Sequence, residues 1–81
     1  MSDNDSRLKD ILVDVLLIDD AEYIDDNGPD QIGTWDSLAT VNIAARIEEA
    51  FGQEVTPEEL TDWLCIGDIK VCLREKGLAL T

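Results

Sequence analysis

Apolar side chains recur at helical spacing in the first part of the chain. They are separated by charged residues and follow the i, i+3, i+4 pattern of an amphipathic helix: Leu8, Ile11, Leu12, Val15 and Leu16. The pattern predicts a first helix over residues 6–17, which Asp5 or Ser6 can cap. Residues 1–5 are polar, and we expect them to form a flexible N-terminus.

The helical period is lost over residues 18–35, which are rich in aspartate, asparagine, glycine and proline. Turn-forming residues at this density predict a long loop. Such a loop is unusual in a small domain and is frequently functional. Three isoleucines, Ile18, Ile24 and Ile32, are expected to anchor it to the core.

The helical period returns after Asp36 and predicts a second helix over residues 37–51. Its apolar positions are expected to share one buried face: Leu38, Ile43, Ile47 and Phe51. Gly52 follows at the position where a glycine in the left-handed conformation commonly ends a helix.

Two shorter helices are predicted in the last third of the chain. The sequence Thr56-Pro57-Glu58-Glu59 combines a capping box with a proline at the first helical position, which indicates a short third helix near residues 57–63. A fourth helix is predicted to begin at Cys65-Ile66 and to end at Gly77. Its inward positions are Ile66, Ile69, Cys72 and Leu73.

The pattern as a whole predicts an all-α fold: a small four-helix bundle with a long loop between helices 1 and 2 and a short third helix. The chain has 81 residues, of which 44% are hydrophobic, so it suits one domain with a small core. We assign residues 6–77 to this domain and residues 78–81 to a C-terminal tail, and we expect a monomer.

Acidic residues dominate the charge of the chain. There are 19 Asp and Glu residues against 6 Lys and Arg residues, for a formal net charge of −13. Clustered bases are needed to bind nucleic acid or an anionic membrane, so neither is expected as a partner. Proteins with basic patches are favoured instead, because opposite fields speed encounter and select orientation. Composition alone does not show whether the negative charge serves to bind basic partners or only keeps the protein soluble.

The residue inventory argues against catalysis and against a metal site. The chain has no histidine, so neither a Ser-His-Asp nor a Cys-His arrangement can be assembled, and we do not expect an enzyme. The loop sequence Asp25-Asp26-Asn27-Gly28 fails the EF-hand spacing. With Gly28 as the sixth position, the first and twelfth ligands would be Tyr23 and Thr34. We therefore predict no metal site.

The two cysteines, Cys65 and Cys72, fall in one predicted helix, where about 10 Å of helix rise separates them. A disulfide cannot span that distance, and we expect two buried apolar thiols of a reducing compartment. The N-terminus has no apolar signal region, and no apolar run reaches membrane-spanning length. The predicted location is therefore cytoplasmic.

One segment carries candidate chemistry: Asp36-Ser37-Leu38, at the predicted boundary between the long loop and helix 2. A helix N-terminus offers free N–H donors and the positive end of the dipole, and both suit a phosphodiester. Ser37 should be exposed there, because Leu38 is expected to point inward and thereby to orient the Ser37 side chain towards solvent. Asp36 either caps the helix or helps a modifying enzyme hold a metal ion. Taken alone, Asp-Ser is a common helix cap.

The wider stretch resembles the acyl carrier protein family. The Asp36-Ser37-Leu38 core, followed by an amphipathic acidic helix that ends at Phe51, is similar to the signature of that family. Val55-Thr56-Pro57-Glu58-Glu59-Leu60 and Cys65-Ile66-Gly67-Asp68-Ile69 resemble the starts of its third and fourth helices. The resemblance covers residues 6–77. It implies a stand-alone carrier that holds its cargo as a thioester on a covalent 4′-phosphopantetheine arm.

By this resemblance, Ser37 receives 4′-phosphopantetheine from coenzyme A through a phosphopantetheinyl transferase, and Asp36 and Leu38 are recognised beside it. The resemblance also implies a partner-binding surface on helix 2, formed by Val41, Ala45, Glu48 and Glu49. The implied partners are the transferase and the enzymes with basic patches that load or transfer acyl or aminoacyl groups. Cargo either stays outside or folds back into an apolar slot lined by Ile43, Ile47, Leu60 and Trp63.

Several positions differ from the pattern of fatty-acid carriers: Trp35, Ala45, Arg46 and Cys65. These differences favour a specialised biosynthetic pathway with a small polar acyl or aminoacyl cargo. Trp35 is expected to pack the loop onto the bundle, and Arg46 to pair with Glu49. Two alternatives stay open: an acidic helical protein-interaction module without a prosthetic group, in which Ser37 is only a cap, and a calcium-responsive helical protein.

Overall fold

Four helices form the fold in the computed structural model, which describes residues 3–78. They are α1 (Asp3–Leu16), α2 (Ser37–Phe51), α3 (Pro57–Thr61) and α4 (Ile66–Glu75). The predicted all-α bundle, with its long first loop and short third helix, is confirmed. One 3₁₀ turn at Asp20–Glu22 interrupts the loop, and the described residues contain no strand.

The first helix begins earlier in the chain than the sequence predicted. α1 begins at Asp3 rather than at residue 6, so the prediction that Asp5 or Ser6 caps it is wrong. Asp3 and Asp5 instead place carboxylates in the first turn, near the positive end of the helix dipole. Leu78, the first residue of the predicted tail, packs against the core. The rest of that tail and residues 1–2 lie outside the described residues.

A single core joins α1, α2 and α4. Its fully buried side chains are Leu8, Leu12, Leu16, Ile43, Ile47, Ile66, Ile69 and Leu73. Trp63, which follows α3, is buried in the same cluster. Phe51 is only half-buried at its edge. None of the residues of α3 itself is buried, so this helix lies at the margin of the core.

The long loop between α1 and α2 is anchored by apolar side chains. Ile18 and Ile32 are buried, as predicted. The same prediction is wrong for Ile24, whose side chain is exposed. The half-buried ring of Tyr23, one residue earlier, packs against the core in its place.

The middle of the loop is hydrogen-bonded to the start of α4. The N–H of Ile66 donates to the carbonyl oxygen of Asn27 at 2.8 Å, and the N–H of Gly67 donates to that of Asp25 at 2.9 Å. Cys65, the N-cap of α4, makes no side-chain capping bond. The loop backbone therefore satisfies the first N–H groups of α4, which have no acceptor within the helix.

Lys70 of α4 adds a charged tie between the loop and the bundle. Its side chain is buried, and its Nζ donates to Oδ1 of Asp25 at 2.7 Å and lies 3.9 Å from Oδ1 of Asp5. The ammonium also lies 4.9 Å from the centroid of the Tyr23 ring. Burial and the neighbouring carboxylates of Asp5 and Asp25 raise the pKa of the Tyr23 phenol above its ordinary range.

Candidate functional site

Ser37 lies at the first residue of α2, where the long loop ends, and it is exposed. Asp36 occupies the N-cap position in an extended conformation, and its Oδ1 accepts the N–H of Ala39 at 2.8 Å. Asp36 therefore caps the helix, which was one of its two predicted roles. At the other end, Gly52 has φ of 68° and closes α2 as predicted, with its N–H donating to the carbonyl oxygen of Glu48.

Leu38 is 69% exposed, so the prediction that it points inward is wrong. The buried face of α2 consists of Ala39, Ile43, Ala44 and Ile47. Leu38 precedes Ala39 by one residue, which turns it about 100° away from the buried face. It shares the exposed side with Val41, three residues further on. Two exposed apolar side chains thus follow Ser37 on the surface.

The residues before Ser37 are fixed by hydrogen bonds. Trp35 is buried and packs the loop onto the core, as predicted. Its Nε1–H donates to Oγ1 of Thr40 at 2.8 Å, and the Thr40 hydroxyl donates to the carbonyl oxygen of Asp36 at 3.1 Å. The hydroxyl of Thr34 donates to the carbonyl oxygen of Leu16 and ties the same segment to α1.

A surface pocket of about 290 Å³ opens beside Ser37, between α2 and α3. Its lining residues are Ser37, Thr40, Val41, Leu60 and Thr61. The two threonine hydroxyls donate their hydrogens to backbone carbonyl oxygens, Thr40 to Asp36 and Thr61 to Glu58 at 2.7 Å. Each therefore has only acceptor capacity left for a group in the pocket.

This pocket differs from the apolar slot that was one of the two predicted locations of the cargo. Of the four residues expected to line the slot, only Leu60 lines the pocket, because Ile43, Ile47 and Trp63 are packed inside the core. Thr40 was missed, although its position three residues after Ser37 places both on one side of the helix. No local sequence signal brings Thr61 towards Ser37, since that approach depends on how α3 packs.

The four residues predicted to bind partners are exposed on α2: Val41, Ala45, Glu48 and Glu49. Glu48 also has an internal role, because its Oε1 accepts the N–H of Val55 at 3.1 Å. Its carboxylate therefore helps to hold the turn that leads to α3. Glu48 and Glu49 are consequently not equivalent, although the sequence alone gave no reason to distinguish them.

Arg46 pairs with a different residue from the one expected. Its Nη1 lies 2.7 Å from Oδ2 of Asp14 on α1, so the predicted pairing with Glu49 is wrong. The packing of α1 against α2 brings Asp14 within reach, and this contact has no local sequence signal. The carboxylate of Glu49 is therefore not paired with Arg46.

Glu59 connects α3 to α4. Oε2 of Glu59 accepts from the Cys72 thiol at 2.9 Å and lies 2.8 Å from the Nζ of Lys76. The hydrogen bond from Cys72, followed by the bond from Lys76, lowers the pKa of Glu59 to about 2. Burial and the bond to Glu59 raise the pKa of the Cys72 thiol, which makes it less reactive. Cys65 and Cys72 are free and half-buried, rather than fully buried as expected.

The Ser37 site fits a covalently attached phosphate ester. α2 begins at Ser37, so the N–H groups of its first turn have no acceptor within the helix, and the positive end of the dipole lies there. The exposure of Ser37 gives a modifying enzyme access to it. Among residues 3–78, no three Asp, Glu or Cys side chains are grouped so as to hold a metal ion.

The fold and this site define a carrier protein of the phosphopantetheine class. The sequence model of the phosphopantetheine attachment site family matches residues 6–72, which is most of the chain. The chain belongs to this family, and its cofactor is a covalently attached 4′-phosphopantetheine, as the resemblance to acyl carrier proteins implied. This finding favours the carrier over an interaction module without a prosthetic group. No helix in the described part of the chain is long and apolar enough to cross a membrane.

Proposed function

We propose that Ser37 carries the 4′-phosphopantetheine arm, and that the phosphopantetheinyl transferase recognises Asp36 and Leu38 beside it. The observation that carries the proposal is an exposed serine at the N-terminus of α2, inside the segment that matches the family. The attached arm supplies a terminal thiol that holds a group as a thioester. The domain over residues 6–77 presents that group to partner enzymes and catalyses no step itself.

The test is intact-protein mass spectrometry after incubation with coenzyme A and a broad-specificity phosphopantetheinyl transferase. The parent chain should gain one phosphopantetheine and Ser37→Ala should gain none. Ser6→Ala, at another exposed serine, is the matched control and should be modified like the parent. Modification of Ser37→Ala, or no modification of a folded parent, would overturn the assignment of the site.

We further propose that the cargo is a small polar acyl or aminoacyl group of a specialised biosynthetic pathway. The pocket beside Ser37 supports this, because it lies at the surface and combines two hydroxyl acceptors with Val41 and Leu60. Loading the protein with a short aminoacyl group should shift the NMR signals of Thr40 and Thr61 and leave the methyl signals of the buried isoleucines of α2 unchanged. Large shifts of those methyls with a long saturated chain would instead indicate an apolar cargo held in the core.

Glu49 offers the cleaner test of the partner-binding surface. We propose that its carboxylate meets the basic patch of partner enzymes, while Glu48 also supports the turn at Val55. Glu49→Lys should raise the KM of the transferase, and the effect should shrink at high salt. Glu75→Lys introduces the same charge change at the end of α4 and serves as the control. Equal effects of the two substitutions would reject a specific surface on α2.

A further inference from the structure

α3 is a helix whose position is decided by contacts from outside it. It has five residues, none of them buried, and Leu60 packs only partly against the core. A helix of this length is not stable in isolation. Its position therefore depends on the buried side chains that flank it, Val55 and Trp63, and on the polar bonds that its own residues make to the rest of the protein.

The carboxylate of Glu59 makes two kinds of bond. Within α3, its Oε1 accepts from the N–H of Thr56 at 3.2 Å and from the Thr56 hydroxyl at 3.1 Å, which completes the capping box. Across to the end of the bundle, it accepts from the Cys72 thiol at 2.9 Å and pairs with Lys76 at 2.8 Å. Cys72 is in α4 and Lys76 is its C-cap residue. The same carboxylate therefore joins the start of α3 to the last part of α4.

The residues that follow Glu59 form one wall of the pocket beside Ser37. Leu60 and Thr61 line that pocket together with residues of α2. Each step along a helix turns the side chain by about 100°, so a carboxylate bound to α4 leaves the next residues free to face another element. One side of this short helix therefore bonds to α4 through Glu59, and another side lines the pocket through Leu60 and Thr61.

We propose that Glu59 is a positioning residue whose bonds to Cys72 and Lys76 hold α3 in place and thereby set the width of the pocket beside Ser37. The functional part of this inference rests on the proposed attachment of the arm to Ser37. When these bonds are removed, α3 moves away from α2, and the arm and its cargo lie in a wider and wetter pocket.

The role of Glu59 in the capping box has to be separated from its role towards α4. Lys76→Met removes the ion pair and leaves the capping box with Thr56 intact. Cys72→Ala removes the thiol donor, whereas Cys72→Ser keeps a donor at the same position. Lys9→Met is the matched control, because Lys9 is also half-buried and forms an ion pair, with Asp20 at 3.5 Å, away from α3.

The experiment uses the phosphopantetheinylated protein loaded with a short acetyl thioester. Amide hydrogen exchange is measured by NMR at Leu60, Asp62 and Trp63, whose N–H groups donate within α3 and its final turn. Lys76→Met should accelerate their exchange by about tenfold, the effect of losing one charge-assisted hydrogen bond. Exchange in α1 and α2 should keep its parent rate. Hydrolysis of the thioester should accelerate together with the amide exchange. Cys72→Ala should accelerate both processes, whereas Cys72→Ser should keep the parent rates of both.

Two results would overturn the proposal. If α3 exchanges at the parent rate in both Lys76→Met and Cys72→Ala, the bonds to α4 do not hold it. If exchange accelerates and hydrolysis stays at the rate of Lys9→Met, the position of α3 does not control the pocket. Mass spectrometry of the parent tests the attachment of the arm separately. A parent that gains no arm would contradict the proposed function, whereas the amide exchange of α3 would still test whether the bonds to α4 hold this helix.

Discussion

Two substitutions separate the cap that Asp36 provides from its charge. Asp36→Ala removes the acceptor of the Ala39 N–H, a bond of 2.8 Å, whereas Asp36→Asn keeps an oxygen acceptor and removes only the charge. We expect Asp36→Ala to lower the free energy of unfolding by about 1 kcal/mol. Asp36→Asn should cost only about 0.3 kcal/mol, because asparagine caps as well as aspartate and loses only the interaction with the helix dipole.

Urea unfolding followed by far-ultraviolet circular dichroism measures both values, and the alanine variant should also melt about 4–8 °C lower. An Asp36→Asn variant that is as unstable as Asp36→Ala would refute the reasoning, because the hydrogen bond to Ala39 would then not be the stabilising feature.

The same pair of variants tests recognition by the transferase. If the enzyme recognises the charge of Asp36, as we propose, then Asp36→Asn should be modified slowly in spite of its near-parent stability. The kcat/KM of modification is compared with the fraction of protein that is folded in the same buffer. A variant that is modified at the parent rate would reduce Asp36 to a helix cap.

Three further predictions concern stability. Thr40→Val leaves the buried indole N–H of Trp35 without its acceptor and should cost about 1–3 kcal/mol in urea unfolding; a parent-like value would contradict that bond. In the same urea unfolding, Gly28→Ala should cost at least about 2 kcal/mol, because its Cβ would clash with the backbone carbonyl oxygen of Leu64 in the turn before α4. Gly33→Ala, with no atom within 4 Å, is the control and should be almost neutral. Folding lowers the pKa of Glu59 from 4.5 to about 2, so the stabilisation by its carboxylate is complete above pH 4.5 and is lost as the pH falls towards 2. Glu59→Gln should therefore lose less stability than the parent between these pH values. Parallel curves of unfolding free energy against pH for the two proteins would contradict the pKa shift.

The elements that the sequence predicted well are those with local signals. The limits of α2 follow from a capping aspartate at Asp36 and a glycine at Gly52, and both act on their immediate neighbours. The start of α3 follows from the capping box at Thr56, which the structure forms with both of its bonds. The position of Ser37 at a helix start belongs to the same group, because the cap at Asp36 is a local signal.

Apart from the start of α1, where the local capping signal at Asp5 and Ser6 was misleading, the errors concern contacts between elements or the rotation of a helix. Apolar positions on α2 outnumber those that the core can accept, and Leu38, which was predicted to point inward, is exposed. Arg46 was assigned a neighbour in its own helix, whereas the packing of α1 offers Asp14 at 2.7 Å. The inward slot, one of the two predicted locations of the cargo, was inferred from apolar character, but Ile43, Ile47 and Trp63 are buried in the core and do not line the pocket beside Ser37.

The attachment site and its pocket therefore depend on interactions of different range. The helix start at Ser37 is defined by bonds that span three or four residues, such as those from Ala39 and Thr40 back to Asp36. The opposite wall of the pocket depends on α3, whose bonds to α4 join residues 13 and 17 positions apart in sequence. Changes in α4 should consequently alter the surroundings of the cargo while Ser37 stays open to modification. Substitutions at the cap should have the reverse effect, because they act on the helix start and leave α3 in place.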